Sequence, residues 1–398
     1  MITEQKESLA LNRVLYAALL VGSILFAYLS GERMAYAMAV VLFVLPMCSF
    51  FITFTVLRFL KVVQDVPSHI VKGQQDSLVV NIKNKTPLHF SRVYCTFYTP
   101  PHVLGTIENV AFEVLPFNIA AQSVTVSALH IGRFDVGLHT VHVRDIIGLF
   151  WLRRKYKKRV ALTVMPRVLH VQKMPLIMGL MAQASSRFDI KDEDYATISE
   201  VRQYLPGDSI KRVHWKLTAK RNEWLVKVFQ ANALNRVTVI SDTRRLPMNE
   251  RDRFKLEDQL IENAVALARF CLYKGMPVDF MASDGKKAQA HTLANFEMLY
   301  GAISAVSFKA QPELNVTAML THVLNEATGY VNAILIVTKL DIELYERIAN
   351  ANKKGHYAAV VYLAGKVPFK ESERIYNLVA LSGMPCLRMT LEEGFDAT

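Results

Sequence analysis

The chain has 398 residues, of which 52% are hydrophobic, and it carries a formal net charge of +12. That length exceeds what one hydrophobic core usually organises, so two or three folding units are expected. The hydrophobic fraction, with a positive mean hydropathy of 0.19, is high for a soluble protein, and Cys48, Cys95, Cys271 and Cys386 are too scattered for a CxxC pair or a zinc-ligand spacing.

Most of the apolar excess lies before residue 61. Residues 14–29 form a continuous apolar run, extended by Leu11 and Ser30, and residues 34–57 form a second, broken by Pro46, Ser49, Thr53 and Thr55. A helix of about 20 apolar residues spans a bilayer core, so residues 1–61 read as two transmembrane helices, spanning about 11–30 and 34–57. The link Ser30-Gly31-Glu32-Arg33 is short and forces an antiparallel hairpin. A cleaved signal peptide fits less well, because Glu4 and Glu7 accompany Lys6 and a second span follows at once. Lys6 and Arg13 precede the first span, Arg58 and Lys61 follow the second, and the link holds Arg33 alone. The positive-inside rule then leaves the large C-terminal portion cytoplasmic, on the inner (plasma) membrane. Free thiols suit that reducing side.

Residues 62–170 alternate apolar and polar positions in short stretches, as in Leu78-Val-Val-Asn-Ile and Ser91-Arg-Val-Tyr-Cys-Thr-Phe-Tyr, punctuated by Pro87 and by Pro100-Pro101. That period predicts a small β-sandwich-like domain. His139 and His142 read as exposed strand residues. Arg153, Arg154, Lys155, Lys157, Lys158 and Arg159 form a basic run, either a solvated strand connection or a contact for anionic lipid.

From residue 236 to 398 the texture becomes α/β. Continuous apolar strands are expected near Val237, Val278, Ala333 and Tyr357, alternating with helices that begin near Lys255, Leu314, Ile342 and Glu371. Such alternation predicts a central, mostly parallel sheet covered on both faces.

Between these regions, residues 171–235 hold the densest cluster of unusual positions. Arg202, Tyr204, Pro206, Gly207, Asp208, Lys211, Arg212, His214, Trp215, Lys216, Thr218 and Lys220 fall within nineteen residues, and Lys227 follows. Pro206-Gly207 predicts a turn and Asp208 a cap for a helix starting at Ser209, with Ile210, Val213 and Leu217 along one face. Two readings stay open: a packing network of Arg202, Asp208, Arg212 and Trp215, or a surface for an acidic partner. A catalytic centre on His214, Asp208 and Lys216 is a third, without a nucleophile motif beside it.

This segment closely resembles the signature of domain-of-unknown-function family fifty-eight, R-x-Y-x-P-G-D-x-x-[RK]-x-I-H-W-K-x-T-A-[RK], with Val213 at the usual Ile position. Upstream, Arg144-Asp145-Ile-Ile-Gly148-Leu149-Phe150 resembles the family's D-P-F-G-L-F, with Ile146 where Pro is typical. The resemblance implies a C-terminal domain like a von Willebrand factor A domain. It also implies partners, a MoxR-type AAA+ ATPase and a transglutaminase-like membrane protein. Metal-binding members of that fold carry D-x-S-x-S. Here the strand ends Asp242-Thr-Arg244-Arg-Leu246, both serines are missing, and Lys339 stands where an acidic residue is usual. No metal and no cofactor are therefore expected.

The resulting expectation is a membrane-anchored, non-enzymatic adaptor. The alternatives are a basic lipid- or nucleic-acid-binding membrane protein and an uncharacterised enzyme. No RNP motif or zinc-finger spacing points to nucleic acid. No GxxxxGK[ST] or GxGxxG occurs, so the chain is not itself expected to bind ATP. The sequons at Asn84 and Asn315 carry no meaning on the cytoplasmic side.

Overall fold

The computed structural model describes residues 2–87, 89–105, 107, 109–145, 147–169, 174–188, 198–204, 210, 213–229, 236–327, 329–365 and 369–390. The chain divides into two compact units, Met1–Met165 and Pro166–Thr398.

The first unit opens with helices α1 (Ile2–Ser30) and α2 (Arg33–Phe59), which pack against each other. Both are long and apolar enough to cross a membrane, from Leu9 and from Arg33 onward. Most of their apolar side chains are exposed, among them Leu15, Phe26, Met34 and Phe43. The C-terminal half of α2 differs. Ser49, Thr53, Val56 and Leu57 are buried, and their 4-3-1 spacing lines one helical face. That face meets the β structure that follows.

Among the described residues, nine strands and a short helix follow in this unit: β1 (Lys61–Asp65), β2 (His69–Val71), β3 (Gln75–Lys83), β4 (Phe90–Tyr98), α3 (Pro101–Leu104), β5 (Val110–Val114), β6 (Ile119–Ser127), β7 (Gly132–Arg144), β8 (Trp151–Lys155) and β9 (Val160–Met165). They form a three-stranded antiparallel sheet, β1-β3-β6, and a six-stranded mixed sheet, β2-β9-β7-β4-β5 with β8 paired to β7. Alternate residues Leu78, Val80 and Ile82 of β3 are fully buried, as the period-2 pattern dictates. His139 is exposed as expected, but His142 is not a free surface residue. Trp151 donates its indole N–H to His142 Nδ1, and His142 Nε2 lies 3.1 Å from Thr140 Oγ1.

The second unit begins with α4 (Pro175–Phe188), β10 (Ile198–Gln203), α5 (Trp215–Arg221) and β11 (Leu225–Phe229). It continues with β12 (Val237–Ser241), α6 (Glu250–Tyr273), β13 (Val278–Ala282), β14 (Lys287–Ala290), α7 (Phe296–Ser304), α8 (Val316–Glu326), β15 (Asn332–Val337), α9 (Ile342–Lys353), β16 (Tyr357–Leu363), α10 (Lys370–Leu381) and β17 (Cys386–Met389). The sheet order is β14-β13-β12-β15-β16-β17, parallel throughout except for the edge strand β14. Every residue of β12, β15 and β16 is buried, which is why these strands read as unbroken apolar runs. The helix ends are set by side chains. Asn249 caps α6 by accepting from Asp252 N, and Asp341 caps α9 by accepting from Leu344 N. Tyr357 Oη donates to Leu176 O at 2.6 Å and ties α4 to the sheet.

Candidate functional site

The signature segment folds as a strand, a helix and a returning strand. β10 and β11 pair antiparallel, with Arg202 opposite Val226 and Gln203 opposite Leu225. The chain between them is held to β11 at several points. Val213 bridges Val226, His214 N donates to Leu225 O, and Leu225 N donates to Thr218 Oγ1. Tyr204 N donates to Trp224 O at 2.9 Å. Val213, Leu225 and Val226 are buried beneath this segment.

The expected helix start at Ser209 lies outside the described residues; Val213 N donates to Ile210 O, Val213 bridges Val226, and α5 starts at Trp215. His214 is the N-cap, its Nδ1 accepting from Leu217 N at 3.4 Å. That contact gives His214 a structural task. Asn222, with φ +57°, closes the C-terminal end in the left-handed conformation that Asn tolerates. Pro206, Gly207, Asp208, Lys211 and Arg212 lie outside the described residues, as does the side chain of Lys227. Arg202 donates to Gln203 O.

The outer surface of this segment is aromatic and basic. Trp215 is 58% exposed and Trp224 53%, with ring centroids 5.9 Å apart, and Tyr204 lies 5.8 Å from Trp224. Lys216, Lys220 and Arg221 are exposed on α5 beside them. Two exposed tryptophans on a hydrogen-bonded scaffold form a preorganised contact area with cations around it. Trp224 was not among the candidate residues from sequence. Its signal was available as a second Trp nine positions after Trp215, across a helix.

The second place where function could sit is the crevice at the C-terminal ends of the parallel strands, where the order reverses between β12 and β15. Asp242 is buried there, and burial foremost raises its pKa above the ordinary carboxylate value, opposed by the Arg244 charge, the Arg244 N–H and the Lys339 charge. Neighbouring polar groups serve one another. Ser283 Oγ accepts from Thr243 N at 2.8 Å, and Asp284 accepts from Ser307 N and Oγ. Among the described residues no three His, Cys, Asp or Glu side chains converge as a metal set. Asp242 Oδ1 accepts from Arg244 N, and the positions of the two expected serines are Arg244 and a buried Leu246.

In the first unit, the Asp145 motif is a joint to the helices. Asp145 Oδ2 accepts from Ser49 Oγ and Oδ1 from Phe150 N, both at 2.8 Å. Arg13 Nε donates to Leu149 O at 2.8 Å, and the Phe50 and Phe150 rings meet edge to face. Gly148 has φ +78°, a conformation strained for any other residue, and an added Cβ would push aside the end of the Arg144 side chain, 2.6 Å away at Nη2. The basic run divides by role. Arg154 Nη1 donates to Leu57 O and Arg58 O, satisfying two terminal carbonyls of α2. Arg159 stacks on the Tyr98 ring at 3.9 Å. Arg153, Lys155, Lys157 and Lys158 are exposed.

Residues 200–282 match the family described as Protein of unknown function DUF58, well under half of the chain. No curated protein matches. Among solved structures, a cohesin module from a Clostridium perfringens ATCC13124 family 33 glycoside hydrolase shares 14% identity over 26% of this chain and 97% of its own, with a TM-score of 0.20. The SrpA adhesin of Streptococcus sanguinis shares 13% identity over 35% of this chain and 84% of its own, with a TM-score of 0.19. Neither likeness is strong enough to carry an argument.

Proposed function

We propose that this protein is a membrane-anchored, non-enzymatic adaptor that binds a partner through the exposed surface of Tyr204, Trp215 and Trp224 with Lys216, Lys220 and Arg221. The observation that carries the reading is the paired exposure of Trp215 and Trp224 on a hydrogen-bonded strand–helix–strand frame. Trp, Tyr and Arg dominate binding energy at interfaces, and large exposed aromatics in a row are uncommon on surfaces that meet only water. The cations beside them favour an acidic partner surface and speed encounter with it.

Helices α1 and α2 form a hairpin across the inner membrane, with the remainder cytoplasmic. Their apolar, outward-facing side chains and the bias of Arg13, Arg58 and Lys61 against Arg33 alone support this. The C-terminal α/β part acts as a von Willebrand factor A-like module without its metal, and the partner is a MoxR-type AAA+ ATPase, with a transglutaminase-like membrane protein as a further member of the assembly.

The test is co-purification of the full chain, in detergent, with that ATPase, with and without ATP. Trp224→Ala and Lys220→Glu should each reduce capture at least about 10-fold, the usual cost of an interface anchor. Capture that survives both changes in folded protein would refute this surface. No capture by the unchanged protein would refute the partner.

A further inference from the structure

A second feature of the first unit stands outside that adaptor surface. The turn between β5 and β6 presents Leu115, Phe117 and Ile119 at 48%, 69% and 53% exposure. Phe117 has φ +50°, one of two non-glycine residues with positive φ among the described residues. A bulky residue in that region costs free energy, and such outliers persist where surrounding structure enforces them. The enforcement is visible. Phe117 N donates to Thr86 O, the buried Asn84 donates its amide to Leu115 O, and Asn84 N donates to Asn118 O. A rigid apolar tip is thus held out from the sheet.

Register fixes which end of the unit carries this tip. Lys61 pairs with Lys83, and Lys83 with Ile119, so Ile119 stands two strands, about 10 Å, from the residue that follows α2 and its cap Leu60. In the other sheet Phe90 pairs with Val114, and Val93 with Val143, which brings the turn to the end where the 145–150 loop grips Ser49 and Arg13. Lys61, Lys83 and Lys85 are exposed along the same edge. On α2, Phe51, Phe54 and Phe59 are exposed nearby in sequence. β8 runs from Trp151 opposite Arg144 to Lys155 opposite Thr140, and its Arg154 reaches the last carbonyls of α2.

We propose that the Leu115–Ile119 turn is a second membrane contact, its apolar tip seated in the headgroup region of an anionic bilayer and Lys61, Lys83 and Lys85 set against lipid phosphates. This rests on the reading that α1 and α2 span the membrane. An apolar tip with exposed lysines beside it matches an anionic interface, where each cation near the surface adds attraction. The same lysines oppose docking of a second copy of this face.

The experiment uses the full chain in vesicles of phosphatidylcholine with or without phosphatidylglycerol, with the exposed Cys48 and half-buried Cys386 replaced by serine. A polarity-sensitive fluorophore is placed in turn at Phe117→Cys, at Ile24→Cys within α1, and at Gln74→Cys at the opposite end of β3. Quenching by spin-labelled lipid at positions 24 and 117 but not 74, with Lys83→Glu/Lys85→Glu abolishing it at 117 alone, is the expected result. Quenching at 24 without quenching at 117 overturns this contact and leaves the membrane anchor standing. No quenching at 24 overturns the anchor, and this inference with it.

Discussion

The Asp145 joint gives a prediction with a calculable size. Asp145 and Ser49 are 4% and 6% exposed, and the carboxylate accepts two bonds of 2.8 Å, from Ser49 Oγ and Phe150 N. Hydrogen bonds to a charged group contribute about 1.5–3 kcal/mol each, and unpaired donors left behind add to the loss. Relief of the desolvation cost of the carboxylate offsets part of it. Asp145→Ala should therefore destabilise the first unit by about 3 kcal/mol, and Ser49→Ala by about 1.5 kcal/mol. For a unit of this size that corresponds to roughly 6–12 °C in melting temperature for Asp145→Ala. The assay is thermal unfolding of the full chain in detergent, followed by tryptophan fluorescence. Trp151 reports on the first unit because it stacks on Tyr94 at 5.2 Å, whereas Trp215 and Trp224 are already half exposed. The double variant decides the matter. If the bond is real, Ser49→Ala costs almost nothing once Asp145 is alanine, giving a coupling of about 1.5 kcal/mol. Equal losses from Ser49→Ala in both backgrounds would refute the joint.

Other outcomes follow from single contacts. Gly148→Ala forces a side chain into positive φ and against Arg144, so the melting temperature should fall by an amount equivalent to at least about 1 kcal/mol. Asp242→Asn keeps an acceptor for Arg244 N and removes a buried charge. Because the folded-state pKa of Asp242 is raised, wild-type stability is fullest below the unfolded carboxylate value of about 4 and declines as pH rises through the folded value. The variant should hence gain on wild type from about pH 4 toward neutrality, and a gap that narrows over that range in melts would be the wrong sign. His214→Ala loses a cap with a long 3.4 Å bond and should cost only about 0.5–1 kcal/mol in chemical denaturation while leaving partner capture intact. Tyr357→Phe removes the bond to Leu176 O and should destabilise by about 1–2 kcal/mol, measured by amide exchange in α4.

The elements with strong local patterns were legible in the sequence. Two long apolar runs, the second broken by Pro46, Ser49, Thr53 and Thr55, marked α1 and α2, the period-2 stretch around Leu78 marked β3, and the apolar runs at Val237, Ala333 and Tyr357 marked the three fully buried strands. These signals are contained within a window of a dozen residues. Weaker ones were missed: β14 and β17 are four-residue edge strands, too short for their period to stand out. The helix start expected at Ser209 from Pro206-Gly207-Asp208 lies outside the described residues, and α5 is described from Trp215.

What the tertiary structure alone decided depends on residues far apart in the chain. Val213 bridges Val226, and His214 beside it caps α5. Ser49 looked like a polar break in an apolar helix until Asp145, 96 positions later, was found bonded to it. The basic run 153–159 looked uniform, yet one arginine closes a helix end and another stacks on a tyrosine. Residue chemistry and local period are written in sequence because backbone geometry repeats every two or 3.6 residues. Which side chains meet is set by strand register and helix packing across the fold, and no window along the chain contains that information.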